Sequence, residues 1–423
     1  MERCEVLVVG GGLAGLACAR GLAAAGCDTI LLDQKRALGE RVHTTGIFVR
    51  RTLEDFDLPD DCLGPPVRDV VLYSPDRRAL RLSSPHDEFR VGRMAELYQH
   101  QRAAAEELGA RAFTGHRFLA AERSAGGVDA EVEVAGPLAA GSPRRRRIRA
   151  RFVIGADGAR SRVAASLGLD RNRAFLIGAE DVLPSALRGE PPVMHCFLDP
   201  ELAPGYLAWV VDDGHEAHVG VAGHPGRFRP LAALARFRAS LAGLVPLAAR
   251  PIERRGGRIP VGGLLARIAD PRALLVGDAA GAVSPLTAGG LDPCLRQSRL
   301  AVQVVRAWLG AGQRDAIDAY QAPALRRRFR GRMLLRRGYS RIEARAGVEL
   351  AFAALRAPFF SSVAARVFFG RGSFPDLDLA RLLEEAGGGR GRLLAGARAW
   401  LTSRSSGPCS APPATPAAGR STR

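Results

Sequence analysis

Three glycines near the start of the chain have the spacing of a dinucleotide site. Gly10, Gly12 and Gly15 fit the pattern G-x-G-x-x-G, and Asp33 follows the first of them by roughly 20 positions. Glycines in this pattern permit a tight turn, close approach of the backbone to a pyrophosphate and close packing of a helix on a strand. A carboxylate at the later position accepts hydrogen bonds from a ribose. The predicted contacts to the dinucleotide, either FAD or NAD, also include Leu13, Ala14 and Gln34.

The segments around these glycines have the pattern of a strand, a helix and a second strand. Residues 6–9 are an apolar run, as in a parallel strand that is buried on both faces. Residues 13–25 suit a helix, and a second apolar run at 29–32 ends at Asp33. The predicted unit therefore places the amides at the start of the helix against a bound anion.

Two later segments also place an aspartate and glycines directly after an apolar run. "RFVIGADGARSRVAASLGL" contains Asp157 and Gly158, and "GDAAGAVSPLTAGGLDPC" begins with Gly277 and Asp278. In the second segment Asp292 suits an N-cap, and residues 294–308 have apolar residues at helical spacing. A helix that begins here would direct its partial positive charge at the site, where it could stabilise an anion.

The three motifs resemble those of FAD-binding flavoproteins with the p-hydroxybenzoate hydroxylase fold, which include flavoprotein monooxygenases and geranylgeranyl reductases. This resemblance implies that the dinucleotide is FAD and that Asp278 bonds its ribityl chain. It also implies that the backbone around Gly289, Gly290 and Leu291 approaches the isoalloxazine ring. The other residues predicted to bind FAD are Arg41, Arg93, Phe118, Asp157, Gly158, Gly277 and Pro285.

The order of the motifs predicts a discontinuous FAD domain. The predicted fold class is α/β, or α+β overall, with a Rossmann-like FAD-binding domain formed by residues 1–169 and 269–318. Residues 170–268 alternate apolar and polar positions between turns, which predicts an inserted substrate domain with an antiparallel sheet. Residues 319–401 are predicted to be helical, and the Pro-, Ser- and Ala-rich residues 402–423 are predicted to be a disordered tail.

The predicted catalytic residues are His43, Tyr206 and Trp209. "GYLAWVVDDGHEAHVGVAG" resembles the geranylgeranyl reductase branch, so Tyr206 and Trp209 are expected to line an apolar substrate cavity; packing in the core is the alternative. His43 lies in the loop expected to face the flavin, and His195 lies in the substrate sheet. Each is a candidate proton donor, with a structural hydrogen bond as the alternative.

The leading functional hypothesis is a geranylgeranyl reductase-like FAD-dependent oxidoreductase. It would transfer hydride from reduced flavin to a double bond of an apolar, isoprenoid-like substrate, with NAD(P)H as electron donor. The segment "SPLTAGGL" resembles "SPLTGEGI" of that branch, whereas "GERVHTTGI" lacks its cysteine and Asp292-Pro293 replaces its tyrosines. One alternative is an NAD(P)H-dependent monooxygenase that hydroxylates an aromatic or polyketide-like substrate through a peroxyflavin. Another is a flavin-binding carrier without turnover.

The charge composition of the chain bears on whether it binds nucleic acid. Its 423 residues carry a formal net charge of +18, almost all of it from arginine, because Lys35 is the only lysine. Since arginine-rich composition also follows from GC-rich codons, we predict no nucleic-acid partner. The run 144–147 is predicted to be an exposed hairpin tip.

The remaining sequence predictions concern the protein's surroundings. Seven scattered cysteines without a CxxC pair predict reduced thiols and no metal site. The start of the chain does not resemble a secretory signal, so a cytoplasmic protein is expected, as a monomer or a dimer. Arginines alternate with apolar residues in the C-terminal helices, which either cap the FAD domain or give peripheral contact with an anionic membrane.

Overall fold

The computed structural model describes residues 1–135, 144–226, 228–321 and 323–369. Its strands are β1 (Glu2–Val9), β2 (Thr29–Leu32), β3 (Ile47–Val49), β4 (Asp69–Tyr73), β5 (Ala79–Ser83), β6 (Phe89–Val91), β7 (Arg111–Phe113), β8 (His116–Ser124), β9 (Gly127–Val134), β10 (Arg144–Gly155), β11 (Phe175–Pro184), β12 (Val193–Phe197), β13 (Ala208–Asp212), β14 (Glu216–Gly223), β15 (Glu253–Pro260), β16 (Ala269–Asp270) and β17 (Ala273–Leu275). Its helices are α1 (Leu13–Ala23), α2 (Arg50–Asp55), α3 (Met94–Glu107), α4 (Arg162–Ser166), α5 (Pro230–Ser240), α6 (Leu291–Ala311), α7 (Arg314–Tyr320), α8 (Pro323–Arg327), α9 (Arg330–Tyr339), α10 (Arg345–Leu355) and α11 (Pro358–Phe369).

The first sheet brings the three predicted motifs to one edge. Its strand order is β16-β17-β10-β1-β2-β7, and β8 and β9 continue from β10 as a hairpin. Strands β17, β10, β1, β2 and β7 are parallel neighbours. Val9 lies beside Gly155, and Gly155 lies beside Leu275. The loops that follow these three strands therefore leave the same carboxyl edge, where ligands bind in open α/β sheets.

Burial explains why the central strands of this sheet are apolar. Val6, Leu7 and Val8 of β1 have no exposed side-chain surface, as expected for a parallel strand covered on both faces. α1 and α6 pack together, and the hydroxyl of Ser298 on α6 donates to the carbonyl of Ala14, 3.1 Å away. The predicted strand, helix and strand at the start of the chain are confirmed, although α1 ends at Ala23.

The second sheet has seven strands in the order β15-β11-β14-β13-β12-β4-β5. Its neighbours are antiparallel, as predicted for the substrate domain, except that β12 pairs with β4 in parallel. Strands β4 and β5 come from the range 1–169, which was predicted to belong wholly to the FAD domain. Local alternation of apolar residues identifies a strand, but distant pairing partners decide which sheet it joins, so the sequence pattern placed them wrongly.

The arginine run 144–147 forms the first four residues of β10 and is not a hairpin tip. These residues pair with β9, and their side chains are exposed. Arg145 forms an ion pair with Glu131 at 2.7 Å, and Arg146 forms one with Glu2 at 2.8 Å. Neighbouring carboxylates let a strand carry this charge, which residue type alone does not reveal.

Helices α8–α11 follow the last helix of the nucleotide unit. The part of the predicted helical region beyond residue 369, and the predicted tail, lie outside the described residues. Within the described ranges, no single helix is long and apolar enough to cross a membrane; α10 and α11 pass that test only as a pair, bent by 98°.

Candidate active site

A cavity of about 1100 Å³ lies between the carboxyl edge of the first sheet and one face of the second. Helices α9, α10 and α11 supply part of its wall. Of the residues predicted to bind FAD, those on the wall are Gly12, Leu13, Ala14, Gln34, Gly158, Gly277, Asp278, Gly289, Gly290 and Leu291. The fold thus brings parts of all three motifs together.

Two glycines of the first motif have different surroundings. A Cβ on Gly15 would lie 1.8 Å from the carbonyl oxygen of Gly10, so only glycine lets α1 pack this closely on the turn. A Cβ on Gly12 would meet no protein atom within 4 Å and would point into free space. The second position therefore fits close approach of a pyrophosphate to the backbone, as FAD requires.

Asp278 is a half-buried carboxyl group on the cavity wall. Burial raises its pKa to about 6. A Cβ on Gly290 would lie 3.5 Å from Asp278 Oδ1, so the two motif residues adjoin. A hydrogen-bond acceptor that is half-buried beside a glycine loop has the chemistry that a ribityl chain requires.

Helix α6 starts at the cavity, but its N-cap differs from the prediction. The helix begins at Leu291 with Gly290 at the cap, so the predicted N-cap role of Asp292 is wrong. The Asp292 carboxylate is buried, where it accepts hydrogen bonds from the Thr52 hydroxyl at 2.8 Å and from Arg296 Nε at 3.0 Å. One partner distant in sequence, Thr52, and one on the next turn of the same helix, Arg296, hold the side chain inside the first turn.

Several predicted FAD contacts lie away from the wall and serve the surrounding backbone. The Asp33 carboxylate accepts from the amides of Gly11 at 2.6 Å and Lys35 at 2.7 Å. Asp157 accepts from the amides of residues 162 and 163 at the start of α4, and thus caps that helix. The predicted residues that do not line the cavity are Gly10, Gly15, Asp33, Arg41, Arg93, Phe118, Asp157 and Pro285.

Four of these residues, Arg41, Arg93, Phe118 and Pro285, have other neighbours. Arg93 forms an ion pair with Glu96 at 3.1 Å, and Arg41 is exposed with a φ of +47°. Phe118 is buried in the core of the first sheet, and the carbonyl of Pro285 accepts from Arg336 at 3.2 Å. The structure therefore gives no geometric support for direct flavin contact by these side chains.

Tyr206 and Trp209 line the cavity from the second sheet. The Tyr206 hydroxyl donates to the carbonyl of Thr287 at 2.6 Å, which joins the sheet to the third motif. Trp209 Nε1 donates to Glu180 Oε2 at 3.2 Å. Both aromatic side chains are thus fixed in place by hydrogen bonds at their polar ends.

The two candidate histidines differ in position. His43 lines the cavity, and its pKa is lowered by burial and by the charge of Lys35. His195 does not line it; its Nδ1 lies 3.0 Å from the Tyr73 hydroxyl, and burial lowers its pKa to about 4. His195 is thus neutral at physiological pH, so its geometry supports the structural alternative.

Two residues on the cavity wall, Glu180 and Arg332, were not predicted from the sequence. The carboxylate of Glu180 lies on the wall in contact with His218, and α9 places Arg332 on it. Arg332 donates to the hydroxyls of Ser284 at 2.9 Å and Thr287 at 3.1 Å. Adjacent acids in the apolar run "FLIGAEDVLP" were a usable signal for Glu180, whereas nothing local marks Arg332 among so many arginines.

His218 should make stability depend on alkaline pH. Burial alone would lower its pKa, but Asp213 and Glu180 raise it to about 9. A raised pKa means that the proton stabilises the fold fully below about pH 6.5, and that this contribution is lost as the pH rises through about 9. Between pH 7 and pH 10, we expect a loss of about 3 kcal/mol from this group.

Urea unfolding of the wild type and His218→Gln at both pH values measures this loss. The wild type should lose more stability than the variant by the stated amount, while His195→Gln should behave like the wild type. Equal pH dependence in the wild type and His218→Gln would show that His218 carries no shifted proton.

Comparison with known proteins assigns the class. Residues 3–210 match the FAD binding domain family, so the fold and the cavity belong to an FAD-dependent oxidoreductase. A digeranylgeranylglycerophospholipid reductase of Methanothrix thermoacetophila is 30% identical over 327 residues, which cover 75% of this chain and 82% of that protein. Digeranylgeranylglycerophospholipid reductase 1 of Methanopyrus kandleri is 31% identical over 318 residues, covering 71% and 80%. The chain belongs to this geranylgeranyl reductase family, which confirms the predicted family and the predicted class of FAD-dependent oxidoreductase.

Solved structures agree with the fold. A geranylgeranyl bacteriochlorophyll reductase-like protein of Thermoplasma acidophilum has a TM-score of 0.74 at 20% identity, and the match covers 95% of this chain and 100% of that one. The p-nitrophenol 4-monooxygenase of Pseudomonas putida has a TM-score of 0.61 at 20% identity, covering 94% and 98%. At these identities the likeness establishes a fold that reductases and monooxygenases share.

Proposed function

We propose that this protein reduces carbon-carbon double bonds of an isoprenoid lipid with hydride supplied by bound, reduced FAD. The observation that carries the proposal is an apolar arm of the cavity, which is continuous with the wall that bears the FAD motifs. The side chains of this arm are Leu72, Phe89, Met194, Leu198, Leu207, Leu355, Val367, Phe368 and Phe369. Such a lining suits a long hydrocarbon chain, since burial of each CH2 group contributes about 0.8 kcal/mol. The curated relatives are named for reduction of a geranylgeranyl lipid, which supports this choice.

The chain's own residues would bind and orient the reactants. We propose that the first sheet with its helices holds FAD, that Gly12 admits the pyrophosphate, and that Asp278 accepts from the ribityl chain. The start of α6 at Gly290 and Leu291 would direct amide groups at the ring. Tyr206 and Trp209 would orient the lipid from the second sheet.

We also propose NAD(P)H as the electron donor, visiting the same cavity. Anaerobic mixing of the FAD-loaded protein with NADH or NADPH should bleach the flavin absorbance. If dithionite reduces the flavin but neither nicotinamide does, the donor is a different electron carrier and the reductase proposal still stands.

The test of the reaction uses digeranylgeranylglycerophospholipid as the probe. The FAD-loaded protein is reduced with dithionite in deuterium oxide without oxygen, mixed with the lipid and analysed by mass spectrometry. We expect flavin reoxidation by the lipid and a product that gains two hydrogens for each double bond, partly as deuterium. If the lipid is unchanged and an aromatic probe is hydroxylated in the presence of oxygen, the reductase proposal is wrong and the monooxygenase alternative is correct.

We further propose peripheral contact with a membrane through α9–α11. Leu335 and Val363 line the cavity and are also 52% and 39% exposed, so the apolar wall reaches the surface there. Phe359 and Phe360 lie nearby on α11 and are 71% and 48% exposed. Exposed arginines of these helices and of the connections between them would attract anionic lipid headgroups; they are Arg330, Arg337, Arg341, Arg356 and Arg366.

Replacing both exposed phenylalanines by aspartate should weaken vesicle binding by about tenfold or more, because apolar burial and charge attraction are both lost. Co-sedimentation with phosphatidylglycerol vesicles measures the effect. Leu231→Asp is the matched control, since Leu231 is 58% exposed on α5 in the second sheet's layer. Binding that is unchanged in the double variant would exclude α11 as the contact.

A further inference from the structure

A group of buried charges links the second sheet to the loop at residues 43–46. We call it the Glu180 cluster, and it comprises Glu180, Asp213, His218 and Arg255. Glu180 Oε1 lies 3.3 Å from His218 Nδ1 and 3.7 Å from Arg255 Nη1, and His218 Nε2 lies 3.7 Å from Asp213 Oδ2. Glu180, Asp213 and His218 are each at most 5% exposed. The cluster therefore places four charge-bearing side chains beside an apolar cavity.

The cluster contacts the 43–46 loop through two hydrogen bonds. The Thr45 hydroxyl donates to Glu180 Oε2, and Arg255 Nη1 donates to the carbonyl of Thr44 at 3.2 Å. The same Glu180 oxygen accepts from Trp209 Nε1 at 3.2 Å. One carboxylate thus joins an aromatic side chain of the second sheet to a loop beside the FAD motifs.

The ring of Trp209 is held on its face as well as at its edge. A Cβ on Gly220 of the neighbouring strand would lie 2.1 Å from Trp209 Cζ2. The ring therefore lies flat on a glycine, and its nitrogen points at Glu180. A face contact and an edge bond together leave the indole little rotational freedom.

Stability alone gives little reason for this arrangement. Removing charges from water costs several kcal/mol for each ion, and an apolar replacement of a buried ion pair is often neutral or stabilising. Hydrogen bonding and nearby positive charge overcome the burial of Glu180 and lower its pKa, so it is a carboxylate at neutral pH. The Glu180 carboxylate accepts hydrogen bonds from Thr45, Trp209 and His218. Its main effect is therefore to fix the positions of these side chains.

We propose that Glu180 is a positioning residue that fixes the Trp209 indole and the Thr45 side chain on adjoining parts of the cavity wall. The inference rests on the proposed function, because the group so positioned would be the lipid double bond against the flavin. A carboxylate is suited to this role since it accepts from several donors at once. His218 and Arg255 supply the charge that keeps it ionised.

Glu180→Ala and Glu180→Gln separate position from charge. Alanine removes both links, while glutamine retains an oxygen for Trp209 and loses the charge. We expect alanine to lower kcat for the lipid by about 100-fold with KM changed little, as a misplaced reactant does. The glutamine variant should have a kcat between those of the alanine variant and the wild type. Because the chain has three tryptophans, the part of the fluorescence that comes from Trp209 is first identified as the part lost in Trp209→Phe. That emission should shift in the alanine variant and shift less in the glutamine variant.

Asp181→Asn is the matched control. Asp181 is the next residue of β11, is fully buried and bonds Arg238 at 2.9 Å and Arg254 at 2.7 Å, but it does not line the main cavity. Its variant should lose stability without the fluorescence shift or the selective fall in kcat. If Glu180→Ala does not fold, Thr45→Val removes one donor alone and should lower kcat without weakening FAD binding.

Each outcome decides a separate question. Wild-type kcat and Trp209 fluorescence in a folded Glu180→Ala variant would overturn the positioning role. Equal losses of kcat in Glu180→Ala and Asp181→Asn would also overturn it, because stability would then explain both. A wild-type protein that does not reduce the lipid would defeat the proposed function, while the Trp209 fluorescence would still report whether Glu180 positions the indole.

Discussion

Asp278→Asn should stabilise the FAD-free protein at pH 8 and weaken its affinity for FAD. The carboxyl group has a pKa of about 6 in the fold because it is buried. A raised carboxyl pKa means that the folded state is favoured at low pH and loses this advantage as the pH rises through about 6. Asparagine does not ionise, so at pH 8 the variant should be more stable by about 2 to 3 kcal/mol.

The affinity should change in the opposite direction. Loss of a charged acceptor for the ribityl hydroxyls removes about 1.5 to 3 kcal/mol, or roughly 10- to 100-fold in Kd. Urea unfolding of FAD-free protein at pH 4 and pH 8, and FAD titration by fluorescence, measure the two effects. At pH 4 the stability difference should nearly vanish.

Asp292→Asn is the control for this experiment. Asp292 is buried, and its carboxylate is paired with Arg296 at 2.9 Å. Breaking that pair should cost about 3 to 5 kcal/mol at pH 8, the opposite sign to Asp278→Asn. A loss of stability in both variants would contradict the prediction that the ionised Asp278 carboxylate destabilises the FAD-free fold.

Gly12→Ala should abolish FAD binding at micromolar concentrations while the protein stays folded. Its new methyl group would contact no protein atom within 4 Å, but it would enter the space in which we place the pyrophosphate. Loss of backbone hydrogen bonds to a charged group should weaken the affinity by about 100-fold or more. Thermal unfolding of the FAD-free form should change by no more than a degree or two, about the size of a surface substitution.

Two other glycines give the controls for Gly12→Ala. Gly310, near the end of α6, also has open space at its Cβ, so Gly310→Ala should leave FAD affinity unchanged. Gly15→Ala would place its methyl 1.8 Å from a carbonyl oxygen and should lose stability and FAD together. Tight FAD binding by Gly12→Ala would show that the pyrophosphate does not bind beside Gly12 of the first motif.

The nucleotide half of the fold could be predicted from sequence because its signals are local. Each motif follows its own apolar strand within a few residues, and parallel topology brings the strand ends to one edge. Gly12, Asp278 and Gly290 lie on the cavity for this reason. Spacing alone did not show which motif residue faces inward, so Asp157 caps a helix although its neighbour Gly158 lines the wall.

The rest of the site depends on contacts between distant segments. Glu180 meets Thr45 across 135 positions, and Thr52 meets Asp292 across 240. No short pattern encodes such pairs, because either partner alone resembles an ordinary polar residue. Strands β4 and β5 joined the second sheet for the same physical reason: their partner β12 lies far along the chain.

Because strands of the two sheets alternate along the chain, the order of synthesis on the ribosome determines when each strand can pair. β1 can pair with β2 early and with β10 once residue 155 has been made, but β17 joins β10 only after the chain has passed residue 275. β4 must likewise wait for β12. A nascent chain shorter than about 300 residues therefore offers no complete pocket to FAD, and its unpaired strand edges need protection, as by a chaperone, until the last motif leaves the exit tunnel.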